Sequence, residues 1–462
     1  MQPALSPPAL TRFRDRFAGE VVLPGDADYD RARVVWNAMA DRRPAMVARC
    51  KGTDDVVAAI RFAREQDLRI AVRGGGHSVA GFSTCDGGIV IDLSRMNGVA
   101  VDPKLRIAHA DGGAHLSTLD REAQASGLVC PVGVVGHTGV AGLTLGGGMG
   151  RLQRKHGYSI DNLLSVDLVT ADGRQLHASK DENADLFWGL RGAGANFGVA
   201  TSFEFQLHPQ DTTVTQGWVA LPIERSIEAG GLFRQFLASA PDEVFLSVGF
   251  GVATDPPFPP NLAGMHMIFV GATHSGTLED AERDLRPLRG GLDWSADTFS
   301  PKPYLTVQAM ADETSAWGSR FYMKGGFLAD ATDDVIATCA AQAIDVPAGG
   351  DCSISLWAQG GAIGRVPDSA MAFTGRTAGW SGTFEAQWKD PALDESHIEW
   401  SRRAMAALKP FTAAGGYAND KVESDLGTVR EVYGDDKYEK LVRLKRTYDP
   451  DNAFRLNQNI RP

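Results

Sequence analysis

The segment AVRGGGHSVAG (71–81) places three consecutive glycines and then His77 directly after a predicted strand. Glycines at such a point allow successive backbone N–H groups to face one concavity, which suits a pyrophosphate. A histidine at the end of this loop lies beside whatever group the pyrophosphate carries. The same four residues, GGGH, also fit a tight strand turn with a hydrogen-bonded histidine, so both interpretations stay open at this point.

A second glycine cluster lies between residues 127 and 150, in GLVCPVGVVGHTGVAGLTLGGGMG. Its glycines are too dense for a regular helix or strand, and such a loop can lie flat along an extended ligand. Cys130 and His137 belong to this segment. A free cysteine is most often a small buried hydrophobic residue, so Cys130 is either a group beside the ligand or part of the core.

The sequence lacks the motifs of several other activities. The closest match to the dinucleotide fingerprint GxGxxG runs from Gly192 to Gly198, but it has one residue too many and precedes a strand instead of a helix. No P-loop and no GxSxG nucleophile elbow is present. The histidines show neither HExxH nor paired Cys/His spacing, so we expect no metal site.

Composition limits the function further. The 462 residues carry 46 basic and 57 acidic side chains, a net charge of −11, which disfavours binding to nucleic acid. The five cysteines are few and widely spaced, which argues against a disulfide scaffold and favours a reducing compartment. We see neither a secretory leader nor an apolar stretch long enough to span a bilayer, and therefore expect a cytoplasmic protein with no membrane contact.

Hydrophobic periodicity shows which elements position the two glycine segments. Helices and strands alternate through the first 200 residues, as in an α+β or α/β domain. The clearest predicted elements are a helix over 53–66 and strands around 70–72, 88–94, 106–111 and 199–209. Between about 210 and 410, strand-like runs separated by Pro- and Asp-rich turns predict a second domain built on an antiparallel sheet.

Six segments in this order resemble the covalent FAD-linked oxidases of the vanillyl-alcohol-oxidase superfamily, in particular the berberine-bridge-enzyme-like group. The segments are RGGGHSVAG, DGGIVIDLSRMNGV, the GH-T-G and LGGGMG passage, DNLLSVDLVTADG, DLFWGLRGAGANFG, and the closing Tyr-Asp-Pro-x-Asn-x-Phe with LNQNI. The resemblance implies an α+β fold of the PCMH type. Its FAD-binding domain would be made from residues 1–208 and 413–462, with a substrate domain, an antiparallel sheet flanked by helices, inserted at 209–412.

The resemblance also implies a set of residues around FAD. His77 would be bonded to the flavin 8α-methyl, and Cys130 is the candidate for a second bond, to flavin C6. The loop after Cys130 is shorter than in doubly linked relatives, so single and double linkage both stay open. The implied FAD-binding residues are Val72, Arg73, Gly74, Gly75, Gly76, His77, Ser78, Gly81, Cys130, Gly133, Gly136, Thr138, Gly139, Gly142, Asn162, Val199, Asn457 and Asn459.

Two residues are the candidates for catalysis. Tyr417 lies in a Tyr-x-Asn segment that relatives place over the flavin, where a phenol can take a substrate proton or simply pack against the cofactor. His137 can hydrogen-bond flavin or oxygen, or hold its loop. Relatives often carry a carboxylate on an inner strand of the substrate domain, around Ser355, Trp357 and Gln359. We find no acid there, which favours Tyr417 or His137 as the base.

The sequence thus predicts an FAD-dependent oxidase for a small organic substrate. Hydride would leave a C–H bond next to oxygen or nitrogen, and O2 would be reduced to H2O2. The alternatives are a dehydrogenase with another acceptor, a biosynthetic flavoenzyme that oxygenates or rearranges a natural product, and a non-catalytic flavin-binding protein. Either a monomer or a homodimer is expected.

Overall fold

The computed structural model describes residues 5–462, whose strands form four sheets. The strands are β1 (Glu20–Val22), β2 (Met46–Arg49), β3 (Ile70–Arg73), β4 (Ile89–Asp92), β5 (Val99–Asp102), β6 (Ile107–Asp111), β7 (Leu128–Val129), β8 (Leu163–Val169), β9 (Gln175–Ser179), β10 (Val199–Gln206), β11 (His208–Pro209), β12 (Thr213–Pro222), β13 (Val244–Val252), β14 (His266–His274), β15 (Ala296–Asp297), β16 (Ser300–Pro303), β17 (Arg320–Leu328), β18 (Gly350–Ala358) and β19 (Trp380–Trp388).

Helices cover these sheets. They are α1 (Pro7–Arg14), α2 (Tyr29–Arg33), α3 (Thr53–Glu65), α4 (Leu116–Gln124), α5 (Val140–Gly146), α6 (Gln153–His156), α7 (Ala184–Ala193), α8 (Ser226–Ser239), α9 (Leu278–Arg289), α10 (Tyr304–Gln308), α11 (Asp333–Ile344), α12 (Ala362–Arg365), α13 (Asp394–Leu408), α14 (Leu426–Tyr433) and α15 (Asp435–Tyr448). Helix α5 corrects one expectation, because the second glycine cluster contains a short helix as well as loops. Within residues 5–462, every helix is too short or too polar to span a lipid bilayer.

The first sheet has the order β1-β2-β4-β3, with β2, β4 and β3 parallel to one another. Every residue of β4 is buried, because helix α3 packs on one face of the sheet and Tyr29 and Ala32 of α2 pack on the other. Burial on both faces explains the continuous apolar runs of these strands. The GGGH segment therefore begins at the end of β3, a firmly held strand.

The second sheet is antiparallel, with the order β5-β6-β10-β8-β9. Helices α4, α7, α14 and α15 share one hydrophobic core with it, so the C-terminal residues pack beside elements from the first half of the chain. The buried Lys445 reinforces this contact, because its Nζ donates to Asp449 Oδ2 at 2.7 Å and to the carbonyl of Asn196 at 2.8 Å. The α+β class is confirmed, whereas the domain limits 1–208, 209–412 and 413–462 stay a prediction.

The third large sheet has eight strands, and seven of them follow the order β15-β12-β14-β13-β18-β19-β17. Strand β19 shows how its two faces differ. Trp380, Phe384 and Trp388 point into the core that helices α8, α11 and α13 share with the sheet. The alternating residues Thr383 and Glu385 lie on the opposite face, which lines a cavity. This period of two places polar side chains toward the first two sheets.

A buried ion pair joins the segment between β18 and β19 to the segment just before β8. Arg376 lies on the chain excursion between β18 and β19, and it donates to both carboxylate oxygens of Asp161 at 2.6 and 2.7 Å. Only 1% of the Arg376 side chain and 6% of the Asp161 side chain are exposed. The guanidinium also lies 5.2 Å from the ring centre of Tyr158.

We predict that Asp161→Asn lowers the free energy of unfolding by about 3–5 kcal/mol, because it leaves the Arg376 charge buried without its partner. Urea unfolding followed by tryptophan fluorescence measures the change. Glu228→Gln is the matched control, since Glu228 pairs with Arg225 at the surface; it should leave the urea midpoint unchanged. Equal midpoints for both variants would contradict the role of the buried pair.

Candidate functional site

A cavity of about 500 Å³ separates the glycine segments from the eight-stranded sheet. One wall is formed by residues 74–80, by most of residues 133–146 and by most of the turn 192–198. The opposite wall is formed by the inner face of β17, β18 and β19, and residues 417–421 close one end. The site is therefore assembled from segments that lie far apart in the sequence.

The two glycine segments touch each other through their backbones. A Cβ atom built on Gly75 would overlap the backbone nitrogen of Gly139, and a Cβ on Gly139 would overlap that of Gly75. Neither position can carry a side chain without moving the other loop. This contact joins the end of β3 to the start of helix α5.

The loop after β3 presents unused backbone donors. Among residues 5–462, no group accepts a hydrogen bond from the N–H groups of residues 75–79, and all five of these residues line the cavity. Gly76 has a φ of +73°, which turns the chain at this point. Successive free N–H groups in a concave loop bind anions, so this loop can hold a pyrophosphate.

His77 lies at the end of this loop in a shielded environment. Its ring stacks on Trp36 with the ring centres 4.7 Å apart, and its Nε2 lies 2.6 Å from Nδ1 of His137. Burial, together with the neighbouring His137, lowers the pKa of His77 to about 3. At neutral pH, His77 is therefore an uncharged imidazole.

The hydrogen bonds of His137 determine which nitrogen of His77 is free. His137 Nε2 lies 3.3 Å from the backbone carbonyl of Asp312, a group that can only accept. In the neutral pair, His137 therefore carries its proton on Nε2 and accepts from His77 Nε2–H at its own Nδ1. The Nδ1 atom of His77 consequently keeps its lone pair.

Tyr417 lies at the far end of the cavity. Its hydroxyl oxygen accepts from the Gly148 N–H at 3.3 Å and from the Asn419 side-chain amide at 3.1 Å. Burial, and the charge of Asp420 after it, raises the pKa of Tyr417 to about 12. The phenol is therefore protonated at neutral pH, and its own O–H is available to donate.

The structure brings most of the residues named from the sequence to the cavity. Those that line it are Val72, Gly74, Gly75, Gly76, His77, Ser78, Gly133, Thr138, Gly139, Gly142, Tyr417 and Asn457. His137 reaches the site through its contact with His77. Those that do not line it are Arg73, Gly81, Cys130, Gly136, Asn162, Val199 and Asn459.

Each exception has a structural reason. Cys130 is fully buried in the core beneath the glycine segment. Arg73 forms a buried ion pair with Asp92 at 2.6 Å, and the Asn162 amide donates to the carbonyls of His156 and Tyr158. Val199 points into the core, as successive side chains of a strand alternate.

The other predicted residues that do not line the cavity also have contacts elsewhere. Gly198 and Ala200, which flank Val199, line the cavity instead of Val199. Gly136 donates its N–H to Asp312 Oδ1 at 2.6 Å, and Gly81 lies against Ala40. Asn457 faces the cavity, whereas Asn459 does not.

No acid lies around Ser355 and Trp357, but two acids that sequence reasoning missed reach the cavity from other segments. Glu385 of β19 and Asp420 both line the cavity, although the strand first considered, β18, carries Ser355 and Trp357 there. Burial raises the pKa of each carboxyl to about 7. The alternation in the β19 segment WSGTFEAQW was the available sequence signal, since it separates Glu385 from the apolar face.

Comparisons with known proteins identify the family of the chain. Residues 44–179 match the family described as FAD binding domain, and residues 417–461 match the family described as berberine and berberine like. The chain is 35% identical to (R)-6-hydroxynicotine oxidase of Paenarthrobacter nicotinovorans over 96% of this chain and 97% of that protein. It is 30% identical to an FAD-linked oxidoreductase of Dictyostelium discoideum over 98% and 97% of the two chains.

Solved structures show the same fold. The crystal structure of 6-hydroxy-D-nicotine oxidase from Arthrobacter nicotinovorans superimposes with a TM-score of 0.85 at 31% identity, covering 96% of this chain and 98% of that one. The carbohydrate oxidase of Microdochium nivale superimposes with a TM-score of 0.86 at 24% identity, covering 98% and 99%.

The glycine cradle, the histidine at its end and the polar sheet opposite define an FAD-linked oxidoreductase. The chain belongs to the berberine-bridge-enzyme-like family, and the resemblance seen in the sequence is confirmed.

We predict that Gly139→Ala lowers the free energy of unfolding by about 2 kcal/mol or more, because the new methyl group overlaps the Gly75 backbone. Thermal unfolding measures the loss. Gly231→Ala is the matched control: it lies exposed on helix α8, where nothing stands within 4 Å of the added Cβ. That control should raise stability by up to about 1 kcal/mol, because alanine favours a helix. An unchanged melting temperature in Gly139→Ala would rule out the close contact.

Proposed function

We propose that the protein is an FAD-dependent oxidase that binds its flavin covalently through His77. Its substrate is a small organic molecule that loses hydride from a C–H bond next to oxygen or nitrogen, and the electrons pass to O2 to give H2O2. The observation that carries the proposal is the neutral imidazole of His77, held at the end of the pyrophosphate loop with its Nδ1 lone pair free.

The residues present fit FAD. The free N–H groups of residues 75–79 suit the pyrophosphate, and the contact between Gly75 and Gly139 leaves a floor without side chains for an extended dinucleotide. When bound, FAD supplies a hydride acceptor at N5 and a route for two electrons to oxygen. Asn457 and the turn 192–198 line the same space and complete the proposed contacts.

His77 suits a covalent anchor for three reasons. Its low pKa keeps it uncharged, the hydrogen bond to His137 fixes its tautomer, and stacking on Trp36 fixes its ring. Cys130 lacks these properties, since it is fully buried in the core and burial raises the pKa of its thiol well above the usual value. We therefore propose a single covalent bond between the protein and the flavin, through His77.

Tyr417 acts in this proposal as a hydrogen-bond donor to the substrate. Its oxygen already accepts from Gly148 and Asn419, and its high pKa makes it a poor base at neutral pH. A phenol O–H that points into the cavity orients a substrate oxygen or nitrogen. His137 serves the anchor, since its ring contacts His77 and not the open cavity.

Oxygen as the acceptor is supported by similarity to two proteins named as oxidases and by Gly133, which leaves the cavity wall beside the glycine segment without a side chain. A cytoplasmic location is part of the same proposal. All five cysteines are unpaired thiols, as a reducing compartment maintains them.

We predict that wild-type protein denatured in acid retains the mass of FAD in mass spectrometry, and that His77→Ala loses it. The matched control is His109→Ala, an exposed histidine outside the cavity, which should retain the adduct. Cys130→Ala should also retain it. A wild-type protein without the adduct would refute the covalent bond, and an adduct that disappears only in Cys130→Ala would move the anchor to that residue.

We also predict that substrate bleaches the flavin under argon and that air restores its colour while H2O2 accumulates in a one-to-one ratio with product. Stopped-flow absorbance and a peroxidase-coupled assay on a panel of alcohols, amines and sugars measure both halves. Slow reoxidation after fast bleaching would instead indicate a dehydrogenase. A peroxide yield well below that of product would indicate an enzyme that oxygenates its substrate.

A further inference from the structure

A short segment between helix α10 and strand β17 reaches the surroundings of His77. It runs from residue 309 to residue 319, has neither helix nor strand, and is largely exposed to solvent. Three of its residues, Asp312, Ser315 and Trp317, nevertheless contact groups that adjoin His77 or the ring of His77 itself. We call these three residues the clamp.

Asp312 contacts the glycine-rich loop through two different groups. Its Oδ1 accepts from the Gly136 N–H at 2.6 Å, and its backbone carbonyl oxygen lies 3.3 Å from His137 Nε2. Because a carbonyl can only accept, His137 carries its proton on Nε2 and keeps Nδ1 as an acceptor for His77. The side-chain bond to Gly136, the residue next to His137, therefore holds the carbonyl of Asp312 where His137 needs it.

Ser315 and Trp317 act on His77 from other directions. The carbonyl of Ser315 accepts from Trp36 Nε1 at 2.7 Å, and the Trp36 ring stacks on His77. The Trp317 ring meets the His77 ring edge-on, with the ring centres 6.0 Å apart. A Cβ atom built on Gly76 would lie 3.1 Å from Trp317, so this ring also packs against the loop just before His77.

Core packing does not explain these contacts. Most side chains of residues 309–319 are exposed, and Trp317 keeps 43% of its surface in water. The hydrogen bonds and ring contacts of the clamp instead converge on one imidazole. A ring held from several sides keeps one orientation, and orientation is what an atom that must form a bond requires.

We propose that the clamp orients His77 for its covalent bond to FAD, and that Asp312 is the positioning residue, which acts through His137. The inference rests on the proposed function, because it concerns how the proposed bond is made. It adds a residue from outside both glycine segments, in the chain between α10 and β17, to the formation of that bond.

The bond forms between Nδ1 of His77 and the 8α carbon of FAD. His77 gives its Nε2 proton to Nδ1 of His137, which is free to accept because the Nε2–H of His137 is held by Asp312. One C–H bond of the 8α-methyl group breaks as a proton leaves, and its electron pair stays in the flavin until O2 accepts it. His77 and the methyl group thus lose one hydrogen each, and both hydrogens end in H2O2.

The rate at which the bond forms tests the inference. Cells starved of riboflavin produce the full chain, riboflavin is restored, and protein is purified at intervals. The share of bound flavin that stays with the acid-denatured protein is then measured by absorbance and intact mass. Asp312→Ala loses the acceptor for Gly136 N–H, so its covalent share should rise at least about tenfold more slowly than that of the wild type.

Two variants separate positioning from a general effect on folding. Asp312→Asn keeps a side-chain carbonyl oxygen that can accept from Gly136, and it should form the bond at close to the wild-type rate. Glu313→Ala changes the exposed neighbour on the same segment and should also match the wild type. If Asp312→Ala binds no flavin, Asp312→Ser, whose side chain is one bond shorter than that of Asp312, takes its place.

Each result decides the inference. A slow rate in Asp312→Ala, or in the serine variant, with a normal rate in Asp312→Asn supports it. Equal rates in Asp312→Ala and wild type would overturn it, and so would an Asp312→Asn variant as slow as Asp312→Ala. Either of these results would leave the covalent bond intact, whereas a wild-type protein that releases all its flavin in acid would reject the bond itself and the inference with it.

Discussion

Gly75 and Gly139 approach each other so closely that neither has room for a side chain, and the site depends on this contact. It joins the end of a parallel strand to the start of helix α5, and it sets two loops side by side as the floor of one cavity. The contact also brings His137 from one loop to His77 at the end of the other, where the two rings hydrogen-bond. Without it, neither the donors of residues 75–79 nor the histidine pair would have a fixed place.

Burial determines the charge state of the cavity. His77 has a pKa of about 3 and Tyr417 a pKa of about 12, so both are neutral across the physiological range. A neutral imidazole retains a lone pair and a neutral phenol retains a proton. Burial raises the pKa values of two further cavity carboxyls, Glu385 and Asp420, to about 7, so their charge changes near neutral pH.

Segments far apart in the sequence support one another around the cavity. Asp312, from the segment after helix α10, accepts from Gly136 N–H with its side chain and from His137 with its carbonyl, so this segment supports the glycine-rich loop. The Arg376–Asp161 ion pair joins the segment between β18 and β19 to the segment before β8, and helices α14 and α15 share the core of α7. The shape of the cavity therefore depends on contacts between residues far apart in sequence.

The sequence by itself determined the cradle, the α+β class, the family and the place of His77. The cradle and the place of His77 follow from local backbone requirements and from glycine, whose effect is the same wherever the rest of the chain lies. The class and the family follow from six motifs whose order the sequence shows directly. Only the tertiary structure decided which neighbouring side chains face the cavity. Strand direction turned Val199 into the core, packing enclosed Cys130, and cross-strand register placed Glu385 on the cavity face beside Met323 and Ser353. A side chain's direction depends on partners that no single segment contains.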